Sequence, residues 1–225
     1  RHDLPAMLAK VTDRTKIVWI CNPNNPTGTI VTRRETESFL ENVPRGVMVV
    51  LDEAYCEYID DPDYPNGLDL IDRYPNLVVL RTFSKIYGLA SLRIGYAVGH
   101  ADVMRTINQV RGPFNTSRQA QAAAREALSD QAFIAECRRK NKEQIAYLTQ
   151  QFSRLGLSSL PAYGNFIMVD TQRPAQAVFE ALLRRGVIVR GGHTLNFPTS
   201  IRVTVGTPEQ NRTFIAALEQ GLHEV

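Results

Sequence analysis

Short apolar runs mark the first half of the chain. Ile17-Val18-Trp19-Ile20-Cys21, Val47-Met48-Val49-Val50-Leu51 and Leu77-Val78-Val79-Leu80 are continuous rather than alternating. They predict strands near 16–21, 47–51 and 77–81, with a fourth near 94–98. Helical or irregular stretches separate them, notably Arg33 to Asn42 with Thr32 as N-cap. This alternation predicts an α/β fold built on a mostly parallel sheet covered on both faces. In such sheets ligands lie beyond the carboxyl ends of the strands.

The pattern changes after Gly112-Pro113. Residues from Ser117 to Leu155 are rich in Ala, Gln, Glu, Arg and Lys, which predicts long helices. Strands are predicted at Asn165–Asp170, Val187–Arg190 and Ile201–Val205. A closing helix is predicted from Pro208 to about His223, with Thr207 as its cap. The segment Gly191–Pro198 reads as a mobile loop between two arginine-bearing strands, and His193 within it as a surface residue. Two domains are expected: residues 1–113, and a smaller α+β domain over 114–225.

Composition narrows the function classes. With 225 residues and 44% hydrophobic content, the chain can bury a substantial core. A formal net charge of +3 is too mild to imply nucleic acid, and Arg138-Arg139-Lys140 reads as a solvated helix face. Cys21, Cys56 and Cys137 are odd in number and form no CxxC, so free thiols in a reducing compartment are expected. The four histidines have no ligand spacing, and no metal is expected. The lack of a long apolar run or signal sequence reads as a soluble, cytoplasmic chain with no membrane partner.

The candidate chemistry sits just past the apolar runs. Lys85 closes Arg81-Thr82-Phe83-Ser84-Lys85, with Arg93 eight residues on. A lysine that condenses with the aldehyde of a phosphorylated cofactor needs anion-binding groups beside it, and hydroxyls and arginine supply them. Asn22-Pro23-Asn24-Asn25-Pro26-Thr27-Gly28 follows the first run, where two prolines and a glycine fix a turn. Asp52-Glu53-Ala54-Tyr55 follows the second, and a carboxylate at a buried strand end needs a cationic partner. Taken singly, each has a plainer account: a solvated lysine, a surface turn, a strand-end acid. Their order, each after its own strand, lets one cleft collect Asn25, Asp52 and Lys85.

These three motifs resemble those of fold-type I pyridoxal 5'-phosphate (PLP) enzymes, the class I/II aminotransferases. Within them the chain is most similar to the histidinol-phosphate aminotransferases. The likeness continues through Tyr87–Tyr96 and Arg111–Asn115, then returns at Gly186–Arg190 and Ile201–Thr207. It implies PLP as cofactor, with Lys85 as the Schiff-base lysine that later transfers a proton at the substrate carbon. It further implies Asp52 on the pyridine nitrogen, Asn25 and Tyr55 on the phenolic oxygen, and Thr82, Ser84 and Arg93 on the phosphate. Arg202 would meet a substrate carboxylate, and Arg190 a second acidic group such as a phosphate. The implied reaction is histidinol phosphate plus 2-oxoglutarate to imidazole acetol phosphate plus glutamate, in a homodimer acting on small amino and keto acids.

Family members carry a long stretch before the first motif, which here arises almost at the start. The resemblance thus implies a segment lacking part of the cofactor's walls, with low activity expected of the segment alone. Residues 1–113 would be the C-terminal portion of the large PLP-binding domain. Two other enzyme readings keep PLP: an aromatic aminotransferase, or a decarboxylase of a phosphorylated amino acid. A non-enzyme reading makes the chain an inactive or dimerising fragment.

Overall fold

In the computed structural model, which describes residues 1–225, three of the apolar runs pair in parallel. They are β1 (Ile17–Cys21), β2 (Met48–Asp52) and β3 (Leu77–Thr82). β1 opposes Ile17 to Met48 and Cys21 to Asp52 on β2, and β2 opposes Asp52 to Leu80 on β3. The fourth strand, β4 (Gly95–Gly99), runs antiparallel to β3, with Thr82 opposite Gly95. The mostly parallel expectation holds, and the antiparallel edge has a local cause. A parallel return needs a long crossover, usually a helix, whereas the β3–β4 connection holds only a 3₁₀ turn at Ala90–Leu92.

Helices α1 (Leu4–Ala9) and α2 (Arg33–Asn42) share a core with one face of this sheet. Leu4, Phe39 and Leu40 pack with Ile20, Val49, Leu51, Leu77 and Val79. Alternation sends Val50 and Val78 to the other face, where they are also buried. Coverage of both faces is therefore seen at β2 and β3. It fails at β1, where Ile17 and Trp19 are 56% and 49% exposed. The sequence entering α2 carries its own start signal. Thr32 accepts from the Glu35 backbone N–H, while Glu35 accepts from the Thr32 N–H at 2.8 Å. This reciprocal cap satisfies two orphan donors. Thr32→Ala is expected to lower stability by about 1 kcal/mol, measured as a denaturation midpoint; an unchanged midpoint would show that the cap contributes nothing.

Beyond β4 come α3 (Ala101–Val110), α4 (Arg118–Ser129) and the long α5 (Gln131–Arg154). A second sheet follows, with β5 (Ser158–Ser159), β6 (Phe166–Asp170), β7 (Arg190–Gly191) and β8 (Ser200–Thr204). Its order is β5-β6-β8-β7, with every pair antiparallel. Phe152 and Leu148 of α5 pack with Ile167, Val169, Ile201 and Val203. Helices α6 (Ala175–Arg184) and α7 (Pro208–Leu222) add Val178, Leu182, Phe214 and Leu218. Thr207 caps α7 with a second reciprocal pair to Gln210.

Two local expectations change. The strand expected over Val187–Arg190 is confined to Arg190–Gly191. Val187 and Val189 do pack against the core while Ile188 is exposed, so alternation there records burial without a ladder. The expected loop after Arg190 contains a 3₁₀ turn, Gly192–Leu195, closed by Asn196 in the left-handed conformation at φ 62°.

The chain forms two compact units: Arg1–Asn24 with Ile30–Glu136, and Asn25–Thr29 with Cys137–Val225. The short segment joins the second unit for a definite reason. Gly28, at φ 76°, accepts from the Tyr163 backbone N–H at 2.9 Å. A Cβ at Gly28 would stand 3.3 Å from the Pro161 carbonyl oxygen. Both the positive φ and the close approach favour glycine.

Candidate active site

In the first unit, the carboxyl ends of β2 and β3 open onto a cavity of about 610 Å³. Asp52 is the last residue of β2 and Thr82 the last of β3, so both reach this end. The cavity is also lined by Ser84, Lys85 and Arg93. Asp52 accepts from the Ala54 backbone N–H through Oδ1 at 3.1 Å, an Asx turn that fixes the carboxylate at the strand end. Thr82 Oγ1 accepts from the Ser84 N–H at 3.1 Å and so shapes the turn leading to Lys85. Lys85 Nζ lies over the ring of buried Tyr55, 5.1 Å from its centroid. This cation–π contact orients the amine.

Arg93 holds φ 51° and ψ 54°, a left-handed conformation that a residue with a Cβ seldom adopts. Its Nη1 donates to the Ala90 carbonyl at 2.7 Å. Strained backbone of this kind clusters at functional sites, where the surrounding structure holds it in place. The cavity thus gathers the Lys85 amine, the Asp52 carboxylate, the Thr82 and Ser84 hydroxyls, the Tyr96 phenol and the guanidinium groups of Arg81 and Arg93.

Behind it lies an ion pair to which the sequence reading gave no role. Glu53 is fully buried, and its Oε2 accepts from Arg81 Nε at 2.9 Å and Nη2 at 2.7 Å. Oε1 accepts from the Gly67 N–H at 2.7 Å. Burial pushes the Glu53 carboxyl above the usual carboxylate range, and the Arg81 fork pulls the other way. The signal was present in the chain: Glu53 adjoins Asp52 in a strand-end acid pair, and a buried acid requires a cation.

The second unit holds the remaining candidates. Arg190 stands directly opposite Arg202 across the antiparallel β7–β8 pair, so their side chains project from the same sheet face. Arg202 stacks on Phe166, with Cζ 5.0 Å from the ring centroid, and its Nη1 donates to Asn25 Oδ1. The Arg202 Nε is buried without a hydrogen-bond partner. Like charges directly opposed on a sheet face are destabilising, and an unsatisfied guanidinium donor adds to that cost. Such an arrangement is suited to an anion. The structure therefore brings Asp52, Tyr55, Thr82, Ser84, Lys85 and Arg93 together in the first unit. Asn25, Arg190 and Arg202 belong to the second.

Comparison with known proteins bears on these residues. The family model described as aminotransferase class I and II matches residues 1–218. The chain is 50% identical over 219 residues to the histidinol-phosphate aminotransferase of Brevibacillus brevis, covering 97% of this chain and 60% of the relative. It is 53% identical over 224 residues to that of a Geobacillus species, covering 100% and 61%. The chain thus spans about 60% of the length of the curated relatives it matches. Among solved structures, the histidinol-phosphate aminotransferase of Sinorhizobium meliloti, in complex with pyridoxal-5'-phosphate, superposes with a TM-score of 0.92. That protein is 32% identical, with 100% of this chain and 62% of that one covered. With its family model matched over nearly every residue and its motif lysine, aspartate and arginine lining one cavity at the strand ends, the chain belongs to the class I and II aminotransferases.

Proposed function

We propose that the protein to which this chain belongs binds PLP and transfers an amino group from histidinol phosphate to 2-oxoglutarate. The observation that carries the reading is the donor set of the strand-end cavity. An amine, an acid, two hydroxyls and an arginine match the aldehyde, ring nitrogen and phosphate of that cofactor. The volume of about 610 Å³ suits a small molecule. When bound, PLP supplies an electron sink for the substrate carbon. Lys85 Nζ would hold the cofactor's aldehyde carbon and move a proton at the substrate carbon. Asp52 keeps the ring nitrogen protonated through its negative charge. Thr82, Ser84 and Arg93 bind the phosphate, with hydroxyl and guanidinium donors to its oxygens. Tyr55 donates to the phenolic oxygen, and Asn25 keeps the same role from the family resemblance.

Substrate recognition falls to the two arginines. Arg202 takes the carboxylate of an amino or keto acid and Arg190 the phosphate of the amino alcohol. Their opposed positions across the β7–β8 pair and the unpartnered Arg202 Nε support an anionic substrate. The names of the relatives, at about half identity, support histidinol phosphate.

Arg190→Ala is expected to raise the KM for histidinol phosphate by at least about tenfold more than for phenylalanine, because a charge-assisted bond contributes roughly 1.5–3 kcal/mol. Steady-state kinetics with both donors measures this. Equal weakening for the two would remove Arg190 from the phosphate role, and a native preference for phenylalanine would favour an aromatic aminotransferase.

A decarboxylase reading has its own support. The L-threonine-O-3-phosphate decarboxylase of Porphyromonas gingivalis superposes with a TM-score of 0.80 at 26% identity, over 96% of this chain and 67% of that one. Product analysis separates the two: glutamate formation supports transamination, and carbon dioxide release without glutamate supports decarboxylation. The fragment reading predicts no visible absorbance band on adding PLP to this chain.

The proposed protein is a cytoplasmic homodimer whose large domain ends near residue 113. No helix is long and apolar enough to cross a membrane. Val110 and Phe114 are 84% and 100% exposed, and exposed apolar residues of this size support a further interface.

A further inference from the structure

Arg81 borders the strand-end cavity, yet its Nε and Nη2 donors point away from it to other protein groups. Nε and Nη2 go to Glu53 Oε2, and Nη2 also donates to Asn66 Oδ1 at 2.6 Å. Glu53 follows Asp52 directly, and its own backbone N–H donates to the Leu80 carbonyl at 2.9 Å. Backbone and side chain of one residue therefore both tie β2 to β3, beside Asp52 and beside the turn that presents Lys85. The third anchor is Gly67. A Cβ there would stand 2.7 Å from Glu53 Oε1 and 2.8 Å from both Leu51 Cδ2 and Val79 Cγ2, so a side chain is excluded. Buried ion pairs seldom exceed well-packed apolar residues in stability. A pair built this tightly at the cavity wall points to a role beyond holding the fold.

We propose that the Glu53–Arg81 pair is a positioning device of the candidate active site. It fixes the strand ends bearing Asp52 and Lys85, and it cancels an arginine charge that would otherwise act on the bound cofactor. This rests on the PLP reading. Arg81 differs from Arg93 in this respect: both line the cavity, but Arg81 meets a buried carboxylate while Arg93 Nη1 meets only a carbonyl. The other ionisable groups felt by the pair are Cys56, Glu57, Tyr64, Tyr87 and Tyr96. Among them Glu57 is a second carboxyl raised by burial, with the Arg81 charge acting on it in the opposite direction.

The test is the pH midpoint of the visible absorbance of the bound cofactor in the full-length, PLP-loaded protein. Glu53→Gln is made alone and together with Glu57→Gln, so that no neighbouring carboxyl compensates Arg81. An uncancelled positive charge disfavours the protonated cofactor, so the midpoint of the double variant is expected to fall by about one unit at an effective dielectric near 20. Adding Arg81→Met should return it to the parental value. A merely structural role lowers thermal stability and leaves the midpoint in place. A parental midpoint in the double variant therefore overturns the inference while leaving the PLP reading intact. A parent protein with no cofactor band overturns both. If the glutamine variants do not fold, Arg81→Met carries the test. The stranded Glu53 should then stay protonated in the folded state, with its pKa raised above the unfolded value. Its stability is fully present below the unfolded pKa and lost as pH rises through the folded pKa. The Tm of Arg81→Met should fall relative to the parent as pH rises above the ordinary carboxylate range; a parallel Tm profile overturns the pairing.

Discussion

Replacing Lys85 with alanine is expected to lower turnover by about four orders of magnitude or more, combining the loss of the covalent anchor with that of the proton carrier. The structure gives the reason for choosing this lysine. It lies just past β3, it lines the strand-end cavity, and its Nζ is held over the Tyr55 ring. Lys10, Lys16, Lys140 and Lys142 do not line that cavity. The variant should still bind PLP without a covalent bond, because Asp52, Thr82, Ser84 and Arg93 remain. Borohydride reduction of the loaded parent protein, followed by peptide mapping, provides the direct measurement. The pyridoxyl label is expected on Lys85, and a label on any other lysine would sink the assignment.

Asp52→Asn is expected to have the next largest effect, slowing the proton-transfer step by about 10²–10⁴-fold. Asparagine keeps the shape and can still accept from the Ala54 N–H, so the turn after β2 should persist. In the proposed role, what disappears is the charge that would keep the ring nitrogen protonated, and with it the pull on electrons at the substrate carbon. Single-turnover kinetics with a substrate deuterated at that carbon isolates the step, and the isotope effect should become fully expressed. Near-parental turnover at saturating PLP would make Asp52 a structural residue instead.

The strand ends were legible because continuous apolar runs mark buried parallel strands. The motif aspartate and lysine were therefore placeable at one edge before any coordinates. Helix α2 was equally legible, since Thr32 and Glu35 spell its start in the local sequence. The antiparallel turn of β4 was not legible in the pattern. Direction depends on the connection, and the hydrophobic run of a strand has no sense of polarity. The shortness of β7 was hidden for a related reason: Val187 and Val189 show the burial period of a strand without making its ladder. Glu53 and Arg81 were visible as residues but not as a pair, because nothing local in Asp52-Glu53 or Arg81-Thr82 says that they converge. Only the registered pairing of β2 with β3 brings them together.

The placement of Asn25–Thr29 with the second unit has a consequence for how this chain is completed during synthesis. Arg202 and Asn25, joined by a hydrogen bond, lie 177 residues apart in sequence. The segment that finishes the second unit therefore leaves the ribosome long before the β-strands that receive it. Until Tyr163 and Arg202 emerge, the Asn-Pro-Asn-Asn-Pro-Thr-Gly turn has none of those partners, and closing so long a loop carries an entropic cost before any contact repays it. The second unit is thus a late folder by topology. A nascent chain halted anywhere before Arg202 presents its most recognisable motif with its closing contact unmade.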